Sequence, residues 1–267
     1  MNPKLEDAQR KIEEAVSALV TGDDWKKFLA QSARFHNYSA NNVFLIMLQS
    51  GCTATRVAGY KKWQEFGRQV KKGESGMQIL RPLAYKRTED DGSVVHGIRG
   101  FGLTYVWDVS QTEGDPLAEE LVKPSLLDSG EGAQLYAQLA AQVESAGYVL
   151  ERTSHAELNG ANGDTHYELK RVRVRNDVTQ LQATKTLAHE LVHIVLGHGE
   201  DGKYRECRGQ REVEAESTAY LVLDAAGLVS DDYTFAYVAH WANGSVEAVK
   251  NSAQSVVKAA HAITKEW

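Results

Sequence analysis

The chain has 267 residues, 42% of them hydrophobic and 25% charged, an ordinary globular composition with length for one large or two modest domains. It holds no apolar run long enough to cross a bilayer and no charged-then-apolar leader, so no membrane span or secretory signal is expected and a cytoplasmic location is. A net charge of −6 excludes a whole-protein basic signal for nucleic acid, and two distant cysteines, Cys52 and Cys207, fit a reduced protein in which neither serves a metal or a disulfide.

The first 50 residues read as three helices. Leu5, Ile12, Ala15, Val16 and Leu19 form one helical stripe. Thr21-Gly22-Asp23-Asp24 interrupts it, with Asp23 or Asp24 as the expected N-cap of a second helix carrying Trp25, Phe28, Leu29, Ala33 and Phe35. After a break at His36 to Ser39, Ala40 to Gln49 is a strongly apolar third helix, with Asn41 and Asn42 at its start read as capping and packing residues.

Residues 56 to 87 change character. Nine basic residues against Glu65 and Glu74 give this segment +7, so the rest of the chain carries −13. Tyr60, Trp63, Phe66 and Tyr85 interleave with the charges. Lys61, Lys62, Arg68, Lys71 and Lys72 could neutralise phosphates while Trp63 stacks an unpaired base; the competing reading is a solvated helix and hairpin whose aromatics are core. Gln78 to Leu83 and Val94 to Val109 read as strands joined at Asp90-Asp91-Gly92. A Gly- and Pro-bearing acidic stretch marks a linker at 117–130, between domains at 1–116 and 131–267.

The second domain opens with an amphipathic helix, Glu131 to Ala146, then a strand at Tyr148 to Leu150 and a turn-rich loop over Ser154 to Asp164. In Leu169 to Arg175 the valines alternate with Arg171, Arg173 and Arg175. This strand is expected at the sheet edge, its arginine row suiting an acidic partner or guarding the edge.

Thr179 to His198 reads as a helix capped by Thr179, with Gln182 three residues on, and stopped at Gly197. It contains His189-Glu190-Leu191-Val192-His193, an H-E-x-x-H pattern. Two histidines four apart leave one helix face a turn apart and can hold one Zn²⁺, with Glu190 placed as general base toward a water at the metal. The next helix offers three carboxylates for a third ligand. Glu212 and Glu216 share a face, while Glu214 is rotated away and reads as solvated. His198 reads as a carbonyl cap or cleft residue, and Tyr204 and Arg211 as candidates for stabilising an oxyanion. Beyond the Gly227 stop, an aromatic stretch over Tyr233 to His240 and Trp241 to Gly244 precedes a final helix, Val246 to Lys265, capped by Ser245.

Two resemblances sharpen these readings. H-E-x-x-H, then eighteen residues, then Glu212-Val213-Glu214-Ala215-Glu216 resembles the gluzincin metallopeptidases, which implies Glu212 as the third ligand and Glu216 as the residue orienting a ligand histidine. Asn37 to Leu48, the Val70-Lys71-Lys72-Gly73-Glu74-Ser75-Gly76 turn and Tyr105 to Thr112, together with the later H-E-x-x-H, resemble ArdC-type antirestriction proteins; Tyr233 to Gly244 also resembles the tail of their peptidase domain. The family implies an α+β protein of two domains: N-terminal helices with a small antiparallel sheet that bind single-stranded DNA, then a zincin-like domain that binds zinc and cleaves a protein substrate. The turn Tyr38 to Asn42 lacks the glycine usual in that family, which puts the family's DNA contacts there in question. The alternatives are a non-proteolytic DNA-binding protein with a structural metal, and a regulatory protease of the IrrE-like group.

Overall fold

The computed structural model describes residues 3–88, 94–117, 132–199, 208–228, 242, 245–265 and 267. The turn at 90–92, most of the expected linker, Tyr204, Cys207 and the stretch from Tyr233 to Trp241 lie outside the described residues. Helices and small sheets form an α+β chain of two compact units, Met1–Leu19 with Asn37–Ala118, and Val20–His36 with Glu119–Trp267. The first unit is discontinuous in sequence, and residues 20–36 group with the C-terminal unit.

In the first unit, α1 (Pro3–Ser17) buries Ala8, Ile12 and Val16 against α3 (Ala40–Ser50), whose Val43, Phe44 and Ile46 are fully buried. β1 (Val57–Ala58), β3 (Met77–Thr88) and β4 (Val94–Asp108) form an antiparallel sheet in the order β1-β4-β3, while β2 (Arg68–Val70) pairs with β5 (Thr112–Gly114). This leaves β3 at an edge, where backbone groups would go unpaired. Side-chain amides close it. Asn42 donates to the Leu80 carbonyl and accepts from its N–H, both at 2.9 Å, and Gln49 does the same for Gln78 at 2.9 and 2.8 Å. Seven residues apart, the two amides lie on one face of α3 and imitate a neighbouring strand.

The β3–β4 register puts Met77, Ile79 and Val106 on the buried face. The opposite face carries the pairs Gln78–Tyr105, Leu80–Leu103 and Pro82–Phe101, and Tyr105 and Phe101 are exposed. At the end of β4 the buried Asp108 carboxylate accepts the backbone N–H groups of Thr55 (2.7 Å), Arg56 (3.0 Å) and Ser110 (3.0 Å). Burial works against its charge, yet these bonds hold its pKa below the usual carboxylate value.

In the second unit, α2 (Gly22–Arg34) is capped by Thr21, not by Asp23 or Asp24; Asp24 is the reciprocal partner of a capping box. Its Trp25 donates to the Ser217 hydroxyl at 2.8 Å, and Phe28 and Leu29 are buried with it. The core lies between α5 (Ala133–Ser145), α6 (Gln180–Val195), α7 (Arg208–Ala225) and the sheet. α8 (Val246–Thr264) packs on α7. The sheet runs β6-β8-β7, with β6 (Val149–Thr153) parallel and β7 (Gly163–His166) antiparallel to β8 (Arg171–Arg175).

The arginine strand is thus central, not an edge. Val172 and Val174 are fully buried, and the arginines have partners within the fold: Arg171 with Glu151, Arg173 with Asp164 and Arg175 with Asp177. The row neither guards an edge nor stands open to an acidic partner. The edge is β7.

Candidate metal centre

Thr179 accepts the Gln182 N–H and starts α6, and the apolar stripe Leu187, Ala188, Leu191 and Val192 seats it on the core. The opposite stripe places His189 and His193 with their Nε2 atoms 3.1 Å apart. α7 brings Glu212 Oε2 to 3.3 Å from His189 Nε2, and one donor atom from each of His189, His193 and Glu212 fall within 4.8 Å of one another. Donors 2.0–2.1 Å from a tetrahedral ion stand about 3.3 Å apart, so this N,N,O set fits a divalent ion.

The three sequence-expected ligands therefore meet. Glu216 meets them from behind: its Oε2 lies 3.3 Å from His189 Nδ1, and its Oε1 is paired with Lys185 at 2.8 Å. Burial works against a charge on His189, but Glu212 and Glu216 outweigh it and hold the imidazolium up to about 10. His193 goes the other way, pushed down to about 3 by burial and by the neighbouring His189 charge.

Glu190 is buried beside the pair and accepts from Thr165 Oγ1 at 2.8 Å. Burial raises its pKa to about 7. Gly163 permits this approach of β7 to α6, since a Cβ there would fall 2.6 Å from Thr186 Cγ2 and 3.0 Å from Glu190 Oε1. A cleft of about 720 Å³ opens over these groups, walled by Gly163, Thr165 and Tyr167 on one side and by His189, Glu190, His193 and Glu212 on the other.

Three expectations change. Glu214 is not solvated: it is buried, and its Oε2 lies 3.1 Å from His198 Nε2. The physical reason is that α7 is buried on nearly every side, with Arg211, Val213, Ser217, Thr218 and Tyr220 also enclosed. Burial opposes its charge, but bonds from His198, Ser252 and Gln210 keep its pKa low. His198 neither caps carbonyls nor lines the cleft; its Nδ1 lies 2.8 Å from His193 Nδ1. Arg211 is buried away from the cleft lining, and its guanidinium donates to the His198 carbonyl.

Among the expected DNA residues, Trp63 is fully buried and donates to the Trp107 carbonyl at 3.0 Å, so it offers no face to a base. Arg68 is held by Thr112, Gly114 and Asp115. Lys61, Lys62, Lys71 and Lys72 are exposed on α4 (Tyr60–Glu65) and the turn after β2, although Lys62 pairs with Glu65 and Lys71 donates to Ser110. Among the described residues of the first unit, the exposed aromatics are instead Tyr60, Tyr85, Phe101 and Tyr105.

The chain thus joins two units, of which the second holds a peptidase-like constellation. Residues 144–254 match the IrrE N-terminal-like domain and residues 6–120 match the N-terminal domain of the anti-restriction factor ArdC. The crystal structure of the antirestriction ArdC protein from the R388 plasmid is similar in fold, in its metal-free form and its Mn(II)-bound form alike. Each has a TM-score of 0.55 at 19% identity over 86% of this chain, and 85% and 84% of theirs. No curated protein matches. The chain thus carries an ArdC-like N-terminal domain followed by an IrrE-like domain, and shares its fold with the ArdC structures.

Proposed function

We propose that this chain is an antirestriction protein whose first unit binds single-stranded DNA and whose second is a zinc-dependent endopeptidase acting on a protein partner. The observation that carries the peptidase half is the meeting of His189, His193 and Glu212 at the floor of an open cleft, with Glu190 beside them. Structural zinc sites are closed by four protein ligands; three donors opening on a cleft suit a catalytic ion. Such an ion, when bound, supplies Lewis-acid polarisation of a carbonyl and acidifies water.

The chain's own residues do the rest. Glu190, raised to about 7 by burial, takes up a proton at its carboxylate near neutral pH and returns it to the leaving amine. Thr165 fixes that carboxylate through its hydroxyl. The free side of β7 borders the cleft, where an extended peptide can add as a further strand.

For DNA, Lys61, Lys62, Lys71 and Lys72 supply positive charge, and the exposed rings of Tyr60, Phe101 and Tyr105 supply stacking faces in place of Trp63. Attachment to DNA would concentrate the peptidase on bound proteins. The ArdC relative's Mn(II)-bound form supports a divalent ion in this chain as well.

The test is Glu190→Gln beside His193→Ala. Glu190→Gln is expected to keep its ion and lose cleavage, and His193→Ala to lose both. Antirestriction that survives Glu190→Gln would mean that proteolysis is not the agent.

A further inference from the structure

His193 is backed by a buried chain of polar groups. Its Nδ1 lies 2.8 Å from His198 Nδ1, and His198 Nε2 lies 3.1 Å from Glu214 Oε2. Glu214 Oε1 in turn accepts from Ser252 Oγ at 2.6 Å and from Gln210 Nε2 at 2.9 Å. His193 and His198 are each 4% exposed, Glu214 6% and Ser252 0%. The backbone builds this contact. Gly197 takes a left-handed φ of 64°, its N–H bonds to the Ile194 carbonyl, and the His198 N–H bonds to the His193 carbonyl at 3.0 Å. That is a Schellman end, which folds the residue after the glycine back onto the side chain five residues earlier. Arg211 holds the His198 carbonyl from α7.

Hydrogen-bond logic gives the chain a direction. A carboxylate only accepts, so His198 Nε2 carries a proton toward Glu214. A neutral His198 then has a bare Nδ1, which can only accept. The His193 Nδ1 opposite must therefore be the donor, and its Nε2 is left as a lone pair aimed at His189 and Glu212.

Resting on the metal reading above, we infer that His198, Glu214 and Ser252 are positioning residues that fix His193 in its metal-ligating tautomer from behind, through a second imidazole. His189 has a carboxylate, Glu216, in the equivalent place. The two histidine ligands are thus supported by different chemistry, and the His193 side is reached from α8 through Ser252.

The experiment measures zinc affinity by competition with a chromophoric chelator for wild type, His198→Asn and His198→Phe. Asn places an acceptor oxygen near the lost Nδ1, whereas Phe fills the volume with no acceptor. Affinity is expected to fall about 10–100-fold in His198→Phe and to stay within a factor of about three in His198→Asn, the range for lost and retained support of a ligand. Wild-type affinity in His198→Phe, or an equal fall in both variants, would overturn the inference. Long-range proton–nitrogen correlation spectra of wild-type protein stripped of metal give a readout that needs no variant. His193 is expected as the Nδ1–H tautomer and His198 as the Nε2–H tautomer; the reverse pair would overturn the inference. A wild type that binds no zinc would contradict the metal reading, while the tautomers would still decide this one.

Discussion

Binding of a divalent ion is expected to strengthen about tenfold for each unit of pH through the mildly alkaline range. The cause is the proton on His189, which Glu212 and Glu216 hold up to about 10 against the opposing effect of burial. A ligand imidazole must be neutral, so the ion has to displace that proton. The displacement costs about 4 kcal/mol at pH 7 and about 1.4 kcal/mol at pH 9, at 1.36 kcal/mol for each unit below the pKa of about 10. His193, held down to about 3 by burial and the His189 charge, contributes no proton. Glu190, raised to about 7 by burial, contributes one only near and below that value. The assay is isothermal titration with Mn(II) between about pH 7.5 and 9.5, in buffers of different ionisation enthalpy. One proton released per ion and a slope near one in log affinity against pH are expected, and Glu216→Gln should flatten the slope by weakening the hold on His189. The sign for stability is opposite. A raised histidine pKa contributes stability that is fully present below its unfolded value of 6.5 and is lost as pH rises through about 10, so the ion-free protein should weaken over the interval in which the ion binds better. An affinity independent of pH, with no proton released, would refute the reasoning.

Trp63→Ala is expected to cost the first unit about 3–5 kcal/mol of stability in urea titration, because it empties a fully buried indole site. Tyr105→Ala should leave stability within about 0.5 kcal/mol and weaken single-stranded DNA binding by about 1–3 kcal/mol, because its ring is exposed. The opposite pattern would return the DNA contact to Trp63. Asn42→Leu removes both bonds that close the β3 edge at Leu80 and should cost about 1–3 kcal/mol, read by thermal melting and by faster amide exchange at Leu80.

The meeting of His189, His193 and Glu212 was legible because the spacing is local: two histidines four apart on one helix, and carboxylates on a second helix that share a face. The buried relay was less so. Rotating His198 around an ideal helix sends it away from His193, but the left-handed turn at Gly197 reverses the chain, and the rotation no longer holds past it. The signal was present in the Gly197-His198 pair, since a helix-ending glycine brings the next residue against the one five before it. Rotation away from Glu212 and Glu216 would expose Glu214 only on a helix with a solvent face, which α7 lacks. Its density of small residues, Ala215, Ser217, Thr218 and Ala219, marks a helix packed on several sides. In the first unit, the charge pattern around Trp63 could not tell a ring over the surface from a ring under it. That depends on the register of β4, which places the Trp107 carbonyl where the indole donates. The arginine strand misled for a similar reason. Alternation fixes which side chains share a face, whereas edge or centre is decided by β7, a short segment in a turn-rich loop.

The central claim is that His189, His193 and Glu212 hold one ion. Metal content by mass spectrometry, on protein purified with zinc supplied, tests it most directly in wild type beside His189→Ala, His193→Ala and Glu212→Ala. About one ion per chain in the wild type and a sharp loss in all three variants is the expected result. No ion in the wild type, or full retention in Glu212→Ala, would contradict it.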